Sequence, residues 1–447
     1  LSMLPEYIAK ASPRPASSRA PWYTNTAPTY AGVFLWIGFY QSIANGTLNR
    51  AGLGWSLAAL CTAALLCFAL YYYAPAMLGM KTGFPLYIVG SSTFGAKGGY
   101  LIPGLLMGAL QAGWYSVSTD LSTKFILQAA GRNADVGTGA YILIAALWAY
   151  SIAWIAAKGI RYVGRVALFV NIIPFVMLVV VFARTYSGFS NYSPQQQDSL
   201  GGFILLVEIV TGFFATAGAA GADFGMENRN GRDVRLGGLV GIGLAILYAG
   251  GLTLFAMAGA HSTHPELSSY NFDGLIGLTG GSLSRTIFIL YAIASVPGAC
   301  FCAFIMGNSF STMLPNLHRT PVIMAGVTVS VILASTGVAS HLVPFFQIIG
   351  ASFGPVCGAI LADYLLSGKK WAGPRRGINF AGYGAWAAGF LVGIVPFLPG
   401  LTVWKAYLAP ATVYSTITGF VVYVALAKIG WQSGPVENVS RLTSASE

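Results

Sequence analysis

Gly38 to Gly46 reads GFYQSIANG, and Gly212 to Gly221 reads GFFATAGAAG. Gly38 pairs with Gly212, Phe39 with Phe213, Tyr40 with Phe214 and Ser42 with Thr216. Both stretches sit in the middle of long apolar runs. Breaking a helix there is costly unless the freed backbone lines a cavity. Glycine-interrupted helices at corresponding places in two halves of a chain mark the midplane site of a secondary transporter. Five helices separate the two stretches, so the halves are expected to lie inverted in the membrane.

Working outward, apolar segments long enough to span the roughly 30 Å hydrocarbon core recur along the chain. They cover 30–48, 55–78, 100–129, 138–157, 162–187, 201–224, 234–260, 283–307, 320–338, 342–366, 378–398 and 402–428. This predicts an all-α polytopic protein of twelve transmembrane helices. Residues 1–29, rich in Pro, Ser and Ala, read as a cytoplasmic tail, as do 429–447; Lys81 to Gly99, interrupted by Pro and Gly, reads as an interfacial loop. The domains expected are repeat 1 (30–187, helices 1–5), repeat 2 (201–366, helices 6–10) and peripheral helices 11–12 (378–428).

Composition agrees. Of 447 residues, 55% are hydrophobic and 8% charged, whereas a soluble domain carries about 25% charged residues. Disorder is excluded by the same numbers. The net charge of +11 does not form the continuous basic stripe of a nucleic-acid binder; it follows the positive-inside bias. With the N-terminus inside, Arg50, Arg132, Arg184, Arg285 and Lys405 are the outside cations and Lys124 lies within a span, so the remaining 18 of 24 Lys and Arg fall inside. The expected location is the cell inner (plasma) membrane with both termini cytoplasmic, as a monomer or loose oligomer. The 5 Cys all fall in apolar stretches and read as buried free thiols.

Three further segments carry a resemblance: KTGFPLYIVGSSTFGAKGGYLIPGLLMGALQAGWY (Lys81 to Tyr115), ATAGAAGADF followed by NRNGRD (Ala215 to Asp233), and GPVCGAILADYLLSGKKW (Gly354 to Trp371). In this order and spacing the chain resembles the nucleobase–cation symporter family of cytosine permeases and hydantoin transporters. The resemblance implies a LeuT-type fold and cation-coupled uptake of a planar nitrogen heterocycle. It also implies a substrate sandwiched between an aromatic of helix 3, here Trp114, and one of helix 6, here Phe214, with Gln111 as a polar partner.

As chemistry, Gln111 and Trp114 share a helix face and Ser118 continues it. A heteroaromatic ring needs π-faces and an amide for its edge. Gln41, Ser42 and Gly218 join the substrate-binding candidates, with helix 1 expected to unwind around Gly38 to Ser42. Helix 8 departs from the family pattern: the places of its substrate amides and sodium-binding hydroxyls are taken by Pro297, Gly298, Ala299 and Phe301, with Ser295 and Asn308 the nearest polar residues. Sodium coupling is thereby in doubt. The ion-coupling candidates are Gly38, Ser295 and Glu208, and the ion is either a proton or sodium. Glu208, mid-span, reads equally as a coupling group or as a hydrogen-bonded neutral acid. Asp120 and Lys124 read as a structural pair at i, i+4, and Asp223 and Asp363 as gate or helix-end groups. His261 and His264 lack further ligands at metal-site spacing, so no metal site beyond sodium is expected, and no other cofactor. An intramembrane enzyme would cluster His with Asp or Glu near one face, and a channel would show a filter motif; neither is visible. Other cargoes on the same fold, such as a vitamin precursor, allantoin or a cationic amine, remain open.

Overall fold

The protein, as a computed structural model, is described over residues 4–436. The segment 437–447, which holds Arg441 and most of the expected C-terminal tail, lies outside the described residues. Twelve helical segments follow one another. Helix 1 comes in two pieces, Thr26–Phe34 and Ile37–Ile43. Helix 2 runs Leu48–Thr82 with a π-turn at Cys67–Tyr72. Helix 3 comprises Leu101–Leu106 and Met107–Ala129, helix 4 is Gly139–Ala157, and helix 5 comprises Ile160–Val170 and Ile172–Thr185. Helix 6 breaks into Ser199–Ala219 and Gly221–Gly225; helix 7 is Gly231–Thr263. Helix 8 breaks at Ser295 into Gly281–Ala294 and Val296–Phe310. Helices 9 to 12 are Arg319–Ser335, Leu342–Leu366, Phe380–Ile394 and Ala411–Lys428.

Among the described residues, nine helices are long and apolar enough to cross a membrane, and Arg319–Ser335 is a shorter apolar one. The two that fall short are helices 1 and 3. Helix 1 is cut by its break. Helix 3 carries buried polar residues, Gln111, Ser118, Asp120 and Ser122, spread round its circumference. Polar residues inside the bilayer face a bundle interior or a cavity, so these two helices position the site. Helix 6 packs between helices 2 and 10, and helix 3 lies against helices 4, 8 and 9.

Local signals start and stop these segments. Asn230 and Asp198 accept N-cap hydrogen bonds from Asp233 N–H (2.9 Å) and Gly201 N–H (3.0 Å), satisfying amides that open a helix. Gly83 closes helix 2 in the left-handed conformation (φ 72°).

Four expectations are corrected. The first concerns residues 1–29, of which the described part, 4–29, packs rather than trails: Tyr7 donates to Ala96 O (2.6 Å), Arg14 N–H to Gly83 O (2.8 Å) and Ala20 N–H to Glu227 O (2.8 Å). Second, the Lys81 to Gly99 stretch contains a buried helix, Leu86–Phe94, because Pro85 sets its start and the Asp223 carboxylate accepts from Leu86 N–H (3.1 Å). Third, the helix 1 break falls at Leu35–Trp36, ahead of Gly38, whereas the helix 6 break at Ala220 falls beyond Phe214. The paired motifs therefore do not align the two breaks, and Gly38 to Ser42 is helical. Fourth, Cys61 is exposed on helix 2, so the thiols are free but not all buried.

Candidate functional site

Helices 1, 3, 6 and 8 enclose a cavity lined by Val33 and Trp36, by Gln111, Trp114 and Ser118, by Phe213, Thr216 and Ala217, and by Gly298, Phe301 and Cys302. Trp114 is its centre. Its indole N–H donates to Thr216 Oγ1 (3.0 Å). The ring stands edge-on to Phe213 (centroids 4.9 Å apart, 73°), Phe345 (5.3 Å, 72°) and Trp36 (5.8 Å, 74°). Edge-to-face contacts of this kind fix ring orientation beyond the effect of area burial. Trp36 reaches the cavity because it begins the second piece of helix 1 in an extended conformation (ψ 138°).

The cavity wall holds polar groups that have no partner among the described residues. Gln111 is 1% exposed. Its amide nitrogen meets only Met107 Sδ (3.8 Å), and its Oε1 has no hydrogen-bond partner. The Trp36 indole N–H and the Ser118 hydroxyl are buried and likewise unpartnered. An unsatisfied buried polar atom costs about 1–3 kcal/mol. Several on one small cavity present a donor, an acceptor and a hydroxyl to whatever enters it.

The other sequence candidates lie elsewhere. Phe214 turns from the cavity and stacks on Phe34 (5.4 Å, 23°), while Phe213 takes the wall; adjacent residues on a helix differ by about 100°. Gly218 faces helix 2, where an added Cβ would lie 2.5 Å from Tyr71 Cβ. Gly38 lies under Trp36. Ser42 Oγ donates to Gly38 O (3.0 Å), and Gln41 Oε1 accepts from Asp273 N–H (3.2 Å); both residues line a separate vestibule. Glu208 accepts from Ala411 N–H (3.2 Å) and Gln347 (3.4 Å), joining helix 6 to helices 10 and 12. Ser295 is fully buried and donates to Tyr291 O (3.0 Å) within helix 8. Trp36, Phe213 and Phe301 were missed as site residues in the sequence; the signal for Trp36 was an aromatic two positions before the glycine that makes room for it.

Access differs on the two sides. Toward the face opposite the N-terminal segment, a polar vestibule is lined by Ser42, Asn45, Asp120, Lys124, Asp273 and Ser340. It ends one helical turn from the cavity, since Ser118 lines one and Leu121 the other. Asp120 is held there by Lys124 (2.8 Å) and the Tyr141 hydroxyl (2.5 Å), the structural role expected. Toward the N-terminal face the cavity is closed by Phe301 stacked on Phe224 (4.8 Å, 15°), with Tyr30 edge-on to both. Beyond this plug, Asp223 accepts from Asn308 (2.7 Å) and Leu86 N–H. Asp363 accepts from Arg375 (2.9 Å), Tyr423 (2.9 Å) and Ser92 (2.6 Å). Among the described residues no three His, Cys, Asp or Glu gather as metal ligands; His261 instead stacks on Tyr270 (3.8 Å, 10°).

In sequence, the chain is 24% identical over 356 residues to the cytosine permease of Escherichia coli (strain K12), covering 75% of this chain and 77% of the relative. The chain is similar to cytosine permeases over most of its length. The cytosine permease of Escherichia coli O157:H7 matches over the same extent. No family model matches the chain. In structure, the chain is similar to Mhp1, a nucleobase-cation-symport-1 family transporter, in a closed conformation with bromovinylhydantoin bound: TM-score 0.73, 16% identity, 97% of this chain and 98% of the other. Inward-facing Mhp1 gives a TM-score of 0.70 at 16% identity over 97% and 96%. A Na+-coupled sialic acid symporter in a substrate-bound outward-open state gives 0.66 at 12% over 94% and 92%. The all-helical LeuT-type architecture is thus shared, and each named relative is a transporter.

Proposed function

We propose that the protein is a secondary active transporter that imports a small planar nitrogen heterocycle, of the nucleobase or hydantoin class, by alternating access. The observation that carries this reading is the aromatic cavity with Gln111 Oε1, Ser118 Oγ and Trp36 Nε1 unpartnered on its wall. Such a ring meets both needs: its faces pack on Trp114, Trp36 and Phe213, and its edge N–H and C=O groups pair with the orphaned atoms. The likeness to permeases and symporters supports the same assignment. In this reading residues 30–187 and 201–366 are the two inverted repeats, and 378–428 is peripheral. The N-terminal face, rich in Lys and Arg, is cytoplasmic in the inner membrane. Saturable uptake of labelled pyrimidines, purines or hydantoins into proteoliposomes, lost in Trp114→Ala, tests it. No uptake of any of them by folded protein rejects it.

The reading of what drives the transport turns on helix 8. Pro297 packs against Gly32, where a Cβ would lie 3.0 Å from Pro297 Cβ, and Gly298 abuts Trp36. Helix 8 thus turns carbon toward helix 1, and the Ser295 hydroxyl is taken by Tyr291 O. We therefore favour proton-coupled or uncoupled transport over sodium symport, with Glu208 the first carboxylate to test. Initial uptake at fixed pH with sodium exchanged for choline decides: a steep, saturable sodium requirement overturns this part of the proposal and leaves the substrate class standing.

A further inference from the structure

Outside the transport cavity, the molecule carries a second cleft at the N-terminal face, between the start of helix 5 and the packed N-terminal segment. Its walls include Arg161, Arg165, Leu168 and Phe169 on one side and Thr24 and Asn25 on the other. The residues of helix 5 form one stripe, because positions 161, 165, 168 and 172 recur at helical spacing. Along that stripe the chemistry changes from cationic to apolar: Arg161 and Arg165 are exposed at the helix start, then Leu168 is 39%, Phe169 70% and Ile172 60% exposed. These residues open the 161–185 span, so the apolar end faces acyl chains and the cationic end lies at headgroup level.

Two observations indicate that the cationic end awaits an anion. Arg165 makes no hydrogen bond or ion pair among the described residues, and Arg161 commits one donor, to Ser18 O (2.9 Å). Asn25 is 5% exposed and its Nδ2 has no partner. The acid at the cleft, Glu227, pairs with Arg14 (2.9 Å) and also feels Arg161 and Arg19, so the guanidiniums around the cleft outnumber it. Arginine pairs favour phosphate oxygens through bidentate hydrogen bonds.

We infer that this cleft binds one anionic glycerophospholipid, its phosphate on Arg161, Arg165 and the Asn25 amide, and an acyl chain along Leu168, Phe169 and Ile172. The apolar continuation selects a lipid over a free anion. Because Ser18 and Ala20 border the same cleft, the bound headgroup also touches the segment that packs across the N-terminal face.

Native mass spectrometry of the detergent-purified full chain, with added phosphatidylglycerol, phosphatidylcholine or inorganic phosphate, tests this. The wild type should retain one phosphatidylglycerol in preference to phosphatidylcholine. The double variant Arg161→Gln/Arg165→Gln should bind it about thirtyfold more weakly, as the loss of two interfacial cations implies, and Asn25→Leu should also weaken it. Lys369→Gln/Lys370→Gln, which removes the same charge elsewhere, should leave it unchanged. Equal retention of phosphatidylcholine by the wild type overturns the inference, as does equal weakening in the lysine variant. Displacement by millimolar inorganic phosphate overturns the lipid assignment in favour of a free-anion site. The wild-type comparison stands even if a variant fails to fold.

Discussion

The indole of Trp36 folds back over Gly38 so closely that a Cβ at position 38 would lie 2.5 Å from its Cη2 and Cζ3. The glycine therefore serves the cavity through the tryptophan, not through a break of its own. Gly38→Ala should push the indole off its seat and weaken substrate binding by about tenfold, a modest share of the 1–3 kcal/mol range for a mispaired buried polar group. Ser42→Ala, one turn away, should leave affinity unchanged. Equilibrium binding of a labelled heterocycle to both purified variants measures the difference.

Gln111→Leu removes the unpartnered Oε1 while keeping volume. Because that oxygen has no protein partner, the unliganded protein should be as stable as the wild type or more so, while substrate affinity falls by about 1–3 kcal/mol. Thermal unfolding with and without substrate separates the two effects: the ligand-induced rise in Tm should shrink, and the baseline Tm should not.

Phe213 and Phe214 should part company on mutation. Phe213→Ala opens the cavity wall and should reduce affinity. Phe214→Ala leaves a void among Tyr30, Phe34 and Tyr71, and should cost about 3–5 kcal/mol of stability while substrate affinity in the surviving folded protein changes little. Paired binding and unfolding measurements give a two-by-two outcome that a shared role could not produce.

Asp363 holds Arg375 where both side chains are less than 10% exposed. Asp363→Ala strands the guanidinium and should destabilise by about 3–5 kcal/mol, visible as loss of monodisperse protein on mild heating. Asp363→Ala/Arg375→Met should recover much of it.

Burial pushes the Glu227 carboxyl above its usual 4.5, against the pull of Arg14. An acid whose pKa is higher in the folded than in the unfolded protein binds more protons when folded, so its contribution is greatest at low pH and declines as pH rises through the raised value. Packing of residues 12–20 should therefore loosen with pH in the window just above 4.5, read as faster amide exchange there after correction for intrinsic rates. In Glu227→Gln that pH dependence should vanish.

On helix 3 the resemblance singled out Gln111 and Trp114, and helical spacing placed Ser118 on the same face at i+7; the structure puts all three on one wall. Helix 6 was not legible in this way, because its apolar residues run all the way round and nothing in FF distinguishes position 213 from 214. The helix 1 break was expected at Gly38 to Ser42 and is displaced from there for a related reason. It falls at Leu35–Trp36, without glycine or proline, where the Tyr40 hydroxyl, five residues on, reaches back to take up the freed Leu35 carbonyl. The N-terminal residues looked like a tail by composition, yet backbone groups at Arg14 and Ala20 pair with Gly83 and Glu227, contacts that no local pattern encodes.

The buried polar residues of helix 3 bear on how the protein is made. A charged residue at the centre of an isolated helix costs about 2.5–3.5 kcal/mol on insertion, and this helix carries Asp120 and Lys124 together with Gln111 and several hydroxyls. Leaving the translocon alone, it is a poor membrane segment. It becomes a good one once the Tyr141 hydroxyl of helix 4 reaches Asp120 and Ser340 reaches Lys124. The charged pair that ties helix 3 to its neighbours thus makes its seat in the bilayer depend on helix 4 and on the segment that carries Ser340.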